Sequence, residues 1–150
     1  MAWGDLCWNP NPQHTLQAFR EAEAYCGPSI ILAYSQCIAH GIDMRLGMKQ
    51  QDLATASGYW PLFRFNPEMR TVHENPFRLD SPRPHIPLKS YAYNELRYRS
   101  LASTRPADAA ELLAHAQAAV TAKYLQYEEL AGFDGTRFHP VAARPVGSGP

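Results

Sequence analysis

A single cysteine closes the most apolar run of the chain. Residues 29–41 read SIILAYSQCIAHG: Ile30 to Tyr34 is apolar, Ser35 and Gln36 end the run, and Cys37 follows, with His40 and Gly41 just beyond it. A thiol just past the end of a buried strand sits where open α/β sheets bind ligands. Two chemistries fit it. One is a thiolate that completes a metal or cluster site whose other ligands lie elsewhere; the other is a free buried thiol that packs as a small hydrophobe. The Cys37-x-x-His40 spacing touches on zinc, but structural zinc takes four ligands, usually in two close pairs, and no second pair is evident.

The other two cysteines promise less. Cys26, beside Gly27, reads as a surface or half-buried thiol, and Cys7 sits in an unpatterned stretch. Three cysteines at irregular spacing make no disulfide framework and point to a reducing compartment, the cytoplasm. His40 either shapes its loop or makes an ordinary backbone hydrogen bond. Tyr59 and Trp60 either wall a pocket or belong to the core, as aromatic residues opening a strand usually do. Arg64, Arg70, Arg78 and Arg83 fall in a proline-rich surface stretch, where solvation or contact with a neighbour is the simple reading.

Composition limits the possibilities. A chain of 150 residues is about one domain long and can bury about 70% of its unfolded surface. Lys plus Arg and Asp plus Glu both number 14, so no net field draws the chain to nucleic acid or to anionic lipid. The longest apolar run is far too short to span a bilayer, and the first residues carry neither the basic nor the apolar region of a signal peptide.

The elements that must position Cys37 follow from pattern. Residues 1–12 have no period and read as irregular. Asn11 caps a helix with Pro12 at its first position; Leu16, Phe19 and Ala22 mark its expected apolar face, and Gly27-Pro28 ends it. Ser29 to Ser35, apolar on both faces, reads as a central parallel strand. This is half of a βαβ unit, and the strand expected before the helix is missing. Lys49 to Ser57 is a short helix closed by Gly58. Tyr59 to Phe65 is a second strand and Phe77 to Leu79 a short third, separated by a turn-rich surface run. A helix spans about Tyr91 to Leu101, and the longest helix runs from Pro106 to about Ala131. Leu112, Leu113, Ala116, Val120, Tyr124 and Tyr127 stripe that helix. The tail from residue 132 to 150, rich in Gly, Pro and Arg, is expected to be disordered. So small a sheet suggests a fragment or a subunit.

Four stretches then add a resemblance: TLQAFREAEAYCGPSIILAYSQCIAHGIDM, ASGYWPLFRFNP, ENPFRLDSPRP and YAYNELRYRSL. In this order they resemble the pyruvate:ferredoxin (or flavodoxin) oxidoreductases, from about Thr15 to Leu130. The resemblance implies the C-terminal end of the last thiamine diphosphate-binding domain: an incomplete α/β domain, residues 13–131, with a partial parallel sheet flanked by helices and a long C-terminal helix. It implies that Cys37 is one ligand of the 4Fe–4S cluster nearest the thiamine, the other three coming from a ferredoxin-like domain elsewhere. It implies an intact enzyme, a homodimer, that oxidatively decarboxylates pyruvate with coenzyme A and passes electrons to ferredoxin or flavodoxin, to which the surface arginines would then offer a contact.

Much of that machinery is missing from these residues. The Gly-Asp-Gly motif that would hold Mg and the diphosphate does not occur; Gly4-Asp5-Leu6 is not that motif, and Gly132 to Gly135 is a chance match. The pyruvate contacts and the ferredoxin-like CxxC sets are absent too. The chain alone is therefore expected to be inactive. Two further readings stay open: a separately made subunit that docks on a partner carrying the missing parts, and a truncated gene product without a role.

Overall fold

A computed structural model describes residues 2–7 and 12–134. The chain runs β1 (Ala2–Cys7), α1 (Pro12–Ala24), β2 (Ser29–Tyr34), α2 (Gly47–Ala56), β3 (Phe63–Phe65), β4 (Phe77–Leu79), α3 (Leu88–Ala92), α4 (Leu96–Thr104) and α5 (Pro106–Ala131). Short 3-10 turns cover Ile38–His40, Met44–Leu46 and Pro67–Val72. The strands form one sheet in the order β2-β1-β3-β4. Its β1–β2 pair is parallel, from Ala2 opposite Ser29 to Cys7 opposite Tyr34, and the β1–β3 and β3–β4 pairs are antiparallel. The fold is mixed α/β, with the long C-terminal helix opening at Pro106 and ending at Ala131 as its periodicity predicts.

Several expectations change. The helix α1 does have a strand before it: β1 occupies part of the stretch expected to be irregular. Its sequence, AWGDLC, holds Gly and Asp, both poor strand formers, so the pairing with β2 rather than local preference makes it a strand. Among the described residues β2 is not central but an edge, because β3 and β4 extend the sheet from the far side of β1. The strand expected over residues 59–65 shrinks to Phe63–Phe65; Pro61 has no N–H for a ladder. The helix expected over residues 91–101 is two helices, broken where the N–H groups of Asn94 and Glu95 turn back onto the carbonyls of Tyr91 and Ala92. All but residues 132–134 of the tail expected to be disordered lie outside the described residues.

The core lies between the helices and the sheet's aromatic fringe. Ala54, Leu88, Tyr91, Ala92 and Val120 are buried together, with Tyr34, Tyr59, Trp60 and Tyr98 packed against them. A second aromatic group ties the β3–β4 hairpin to the end of α5: Phe63 stacks on Phe77 at 5.1 Å, and both meet Tyr127. Asn75 Nδ2 donates to the carbonyls of Leu130 and Ala131, at 2.8 and 3.1 Å, satisfying two groups that a helix end leaves open. Among the described residues no helix is long and apolar enough to cross a membrane.

α1 is held to the hairpin by charge. His14 Nε2 lies 3.0 Å from Asp80, Arg64 donates to both Asp80 oxygens at 2.8 Å, and Arg64 also pairs with Glu21. The inward face of α1 is therefore His14 and Ala18, not the predicted one: Leu16 is 46% exposed and Phe19 54%. Burial pushes the Asp80 carboxyl up, but the bonds from Arg64 and His14 more than reverse this and hold it below its usual range. A depressed carboxyl stabilises the fold above its unfolded-state pKa, and that contribution is lost as pH falls through its folded value. Acid unfolding followed by circular dichroism is expected to be shallower for Asp80→Asn than for the wild type. The variant should already be less stable at neutral pH and lose less on acidification.

Candidate functional site

Cys37 stands where the sequence puts it, past the C-terminal end of β2. Its backbone is extended, with φ −122° and ψ 138°. Its carbonyl accepts the N–H of His40 at 3.0 Å, which starts a single 3-10 turn. Gly41 closes the turn in the left-handed region, φ 70° and ψ 50°, a conformation that glycine alone adopts without a steric cost. A Cβ on Gly41 would stand 2.4 Å from the Cβ of Leu96. The Gly41 carbonyl accepts the Leu96 N–H at 3.3 Å, so the cysteine turn is fastened to the first residue of α4.

A buried polar group lies under this fastening. Glu95, with 0% exposure, accepts from Arg97 Nε at 2.5 Å and from Gln50 Nε2 at 3.2 Å. Gln50 also donates to the Tyr91 carbonyl at 3.1 Å and accepts from Asn94 Nδ2 at 3.1 Å. His40 turns its Nδ1 toward the same carboxylate, at 3.9 Å, too long for a hydrogen bond. The phenols of Tyr34 and Tyr91 meet at 2.5 Å, and Tyr34 stacks on Trp60 at 5.0 Å. Burial, and then the bond to Tyr34, push the Tyr91 phenol far above its ordinary range. The strand end that carries Cys37 is therefore braced from below by aromatic stacking and by one satisfied carboxylate.

The thiol itself is exposed, which removes the reading of Cys37 as a buried hydrophobe. Ile38, at 70%, is more exposed still, and Met44, Leu46, Met48 and Leu96 are also largely exposed. Apolar side chains thus cluster along the loop that carries the thiol and on the helix fastened to it. Among the described residues no three His, Cys, Asp or Glu side chains come together as a metal site. Among the described residues Cys37 is one exposed thiol and has no cluster of metal-ligating side chains around it.

The remaining sequence candidates have structural roles. Cys26 is exposed, as expected. Tyr59 and Trp60 pack on the core, Tyr59 stacked on Tyr91 at 4.5 Å. Arg64 is committed to Asp80 and Glu21, Arg83 pairs with Glu128, Arg78 lies 3.8 Å from Glu74, and Arg70 sits over the Phe65 ring. Reasoning from sequence missed Glu95. The stretch YAYNELRYRSL gave it no role, since a glutamate before an arginine ordinarily reads as a solvated pair.

No family model matches the chain. Individual relatives do. The chain is 44% identical over 125 residues to the pyruvate-flavodoxin oxidoreductase of Trichormus variabilis, covering 83% of this chain and 10% of that protein. It is 41% identical over 116 residues to the pyruvate:ferredoxin oxidoreductase of Moorella thermoacetica, covering 77% and 10%. It is 37% identical over 142 residues to the mitochondrial NADP(+) pyruvate dehydrogenase of Euglena gracilis, covering 92% and 8%. By sequence, then, this chain is the counterpart of one segment, about a tenth of the full length, of the pyruvate-flavodoxin and pyruvate:ferredoxin oxidoreductases.

Proposed function

We propose that this chain supplies one thiolate, from Cys37, to a 4Fe–4S cluster of a pyruvate-oxidising oxidoreductase. The observation that carries the reading is the exposed Cys37 on a braced turn at the end of β2, in a chain whose relatives are pyruvate oxidoreductases. The other three thiolates, and the residues that bind thiamine diphosphate and Mg, lie outside these 150 residues, on the same polypeptide or on a partner subunit. Pyruvate and coenzyme A are then the substrates of the assembled enzyme, ferredoxin or flavodoxin is its electron acceptor, and the cytoplasm is its place of work.

In this reading the cluster, when bound, takes up the electrons released by the decarboxylation. The chain's own residues would hold the ligand at a fixed position. Gly41 and Leu96 fix the turn, and Glu95 and Gln50 fix its floor. Solvent access and hydrogen bonding around a cluster set its potential.

A chimera tests the proposal. In the Trichormus variabilis enzyme, the matching segment is replaced by this chain, and pyruvate-dependent dye reduction is measured with the cluster signal from electron paramagnetic resonance. Activity is expected with Cys37 present. With Cys37→Ser, the loss should exceed the roughly 10- to 100-fold that removing an outer partner of a metal site costs, and one cluster signal should change. Full activity and unchanged spectra in Cys37→Ser would sink the reading, as would turnover by the purified 150-residue chain alone.

A further inference from the structure

Two cations border one cavity and have no counter-charge. Lys49, on α2, and Arg99, on α4, line a cavity of about 230 Å³. Among the described residues neither side chain has an ion pair or a hydrogen bond, whereas Arg45, Arg64, Arg83 and Arg97 each hold a carboxylate. The carboxylates nearby are already spent. Asp43 borders the cavity, but both its oxygens accept from the Arg45 guanidinium, at 2.7 to 3.1 Å. Glu95, bonded to the lining residue Gln50, is held by Arg97. Asp52, also on α2, does not line the cavity. The cavity therefore carries two uncompensated positive charges. The rest of its lining is apolar or fixed. Ile42, Leu46 and Leu53 are its apolar part, and Leu53 shares a face of α2 with Lys49, four residues earlier. Asn94 Nδ2 donates to Gln50 Oε1 at 3.1 Å, and Gln50 Nε2 donates to the Tyr91 carbonyl at 3.1 Å. That wall is held in place before any ligand arrives, which lowers the cost of binding.

We infer that this cavity binds a small phosphate monoester. The charge selects the group. A phosphate monoester carries nearly two negative charges at neutral pH, which match two free cations, whereas a carboxylate brings one. The Arg99 guanidinium can meet two phosphate oxygens with paired N–H groups, and Lys49 adds a compact charge. The apolar part selects an ester over inorganic phosphate, which would leave Ile42, Leu46 and Leu53 uncovered. The volume selects a small one. It equals that of about eight waters in the liquid and falls below the range typical of drug-sized ligands. The organic part is therefore a few atoms long, and a dinucleotide does not fit. A bound phosphate ties α2 to α4. Ile42 and Asp43 directly follow Gly41, so the cavity adjoins the turn that carries Cys37, but the inference is independent of the role given to that thiol.

The test is a titration of the full 150-residue chain with n-butyl phosphate at constant ionic strength. Backbone amide shifts are followed by nuclear magnetic resonance, with inorganic phosphate, butyrate and butanol as comparison probes. Saturable shifts are expected at residues 42–53 and 94–99, with a dissociation constant of about 1 mM or below. Each comparison probe should bind at least about tenfold more weakly. Lys49→Gln and Arg99→Gln alter exposed positions, so circular dichroism should be unchanged. Each should weaken n-butyl phosphate by about tenfold or more, the usual worth of a hydrogen bond to a charged group. Arg20→Gln makes the same change in net charge on an exposed position of α1, outside the cavity, and should leave the affinity as it was. Absence of saturation, shifts centred on other residues, or an equal loss in Arg20→Gln overturns the site. Butyrate or inorganic phosphate binding as tightly as the ester overturns its assignment to a phosphate monoester.

Discussion

Gly41→Ala is expected to lower stability by about 3 kcal/mol and to dislodge the turn that carries Cys37. Two costs combine. The backbone at Gly41 is left-handed, φ 70°, which costs an L-residue about 1–2 kcal/mol. The added methyl would also fall 2.4 Å from Leu96 Cβ, an overlap that a packed site relieves only by moving backbone, at about 1–3 kcal/mol. Leu96→Ala trims the side chain but keeps the Cβ that clashes, so it should not rescue Gly41→Ala. Urea unfolding gives the stability, and the rate at which a thiol reagent labels Cys37 reports the turn. A Gly41→Ala protein with wild-type stability and wild-type labelling would mean that the contact with α4 does not hold the turn.

The second large effect is expected at Glu95. Arg97→Met should destabilise the chain by about 3 kcal/mol, near the low end for breaking a buried ion pair. The loss comes from what is left behind. Glu95 has no exposure, and without Arg97 its carboxylate keeps the Gln50 amide as its hydrogen-bond partner, with His40 Nδ1 3.9 Å away. The value stays near the low end because the Arg97 side chain is itself 38% exposed. Glu95→Gln combined with Arg97→Met should regain a large part of the loss, since a neutral amide needs no counter-charge and can still bond to Gln50. A double variant no more stable than Arg97→Met alone would assign the loss to packing of the arginine stem rather than to the stranded charge.

The local elements with strong punctuation were legible in the chain. The long helix from Pro106 to Ala131, the short strand Phe77–Leu79, β2 and the end of α1 near Gly27-Pro28 all appear where their patterns put them. Proline, glycine and periodicity act within a few residues, so sequence alone carries them. The position of Cys37 was legible for a different reason: it follows an abrupt end to an apolar run, past the end of β2.

What sequence did not yield depends on partners far along the chain. β1 exists because β2 lies beside it, and β2 is an edge because β3 pairs with β1 instead. The inward face of α1 follows an ion-pair network to Asp80, 66 residues from His14, and overrides the apolar stripe of Leu16 and Phe19. Glu95 is buried because α2, α3 and α4 converge on it, with Gln50 coming from 45 residues away. Sequence by itself determined the type and punctuation of the strong elements and placed one thiol at a strand end. Tertiary structure alone decided which faces are covered, which strand forms the edge and which carboxylate braces the thiol's turn, because burial and long-range pairing depend on what meets in space and not on what is adjacent in the chain.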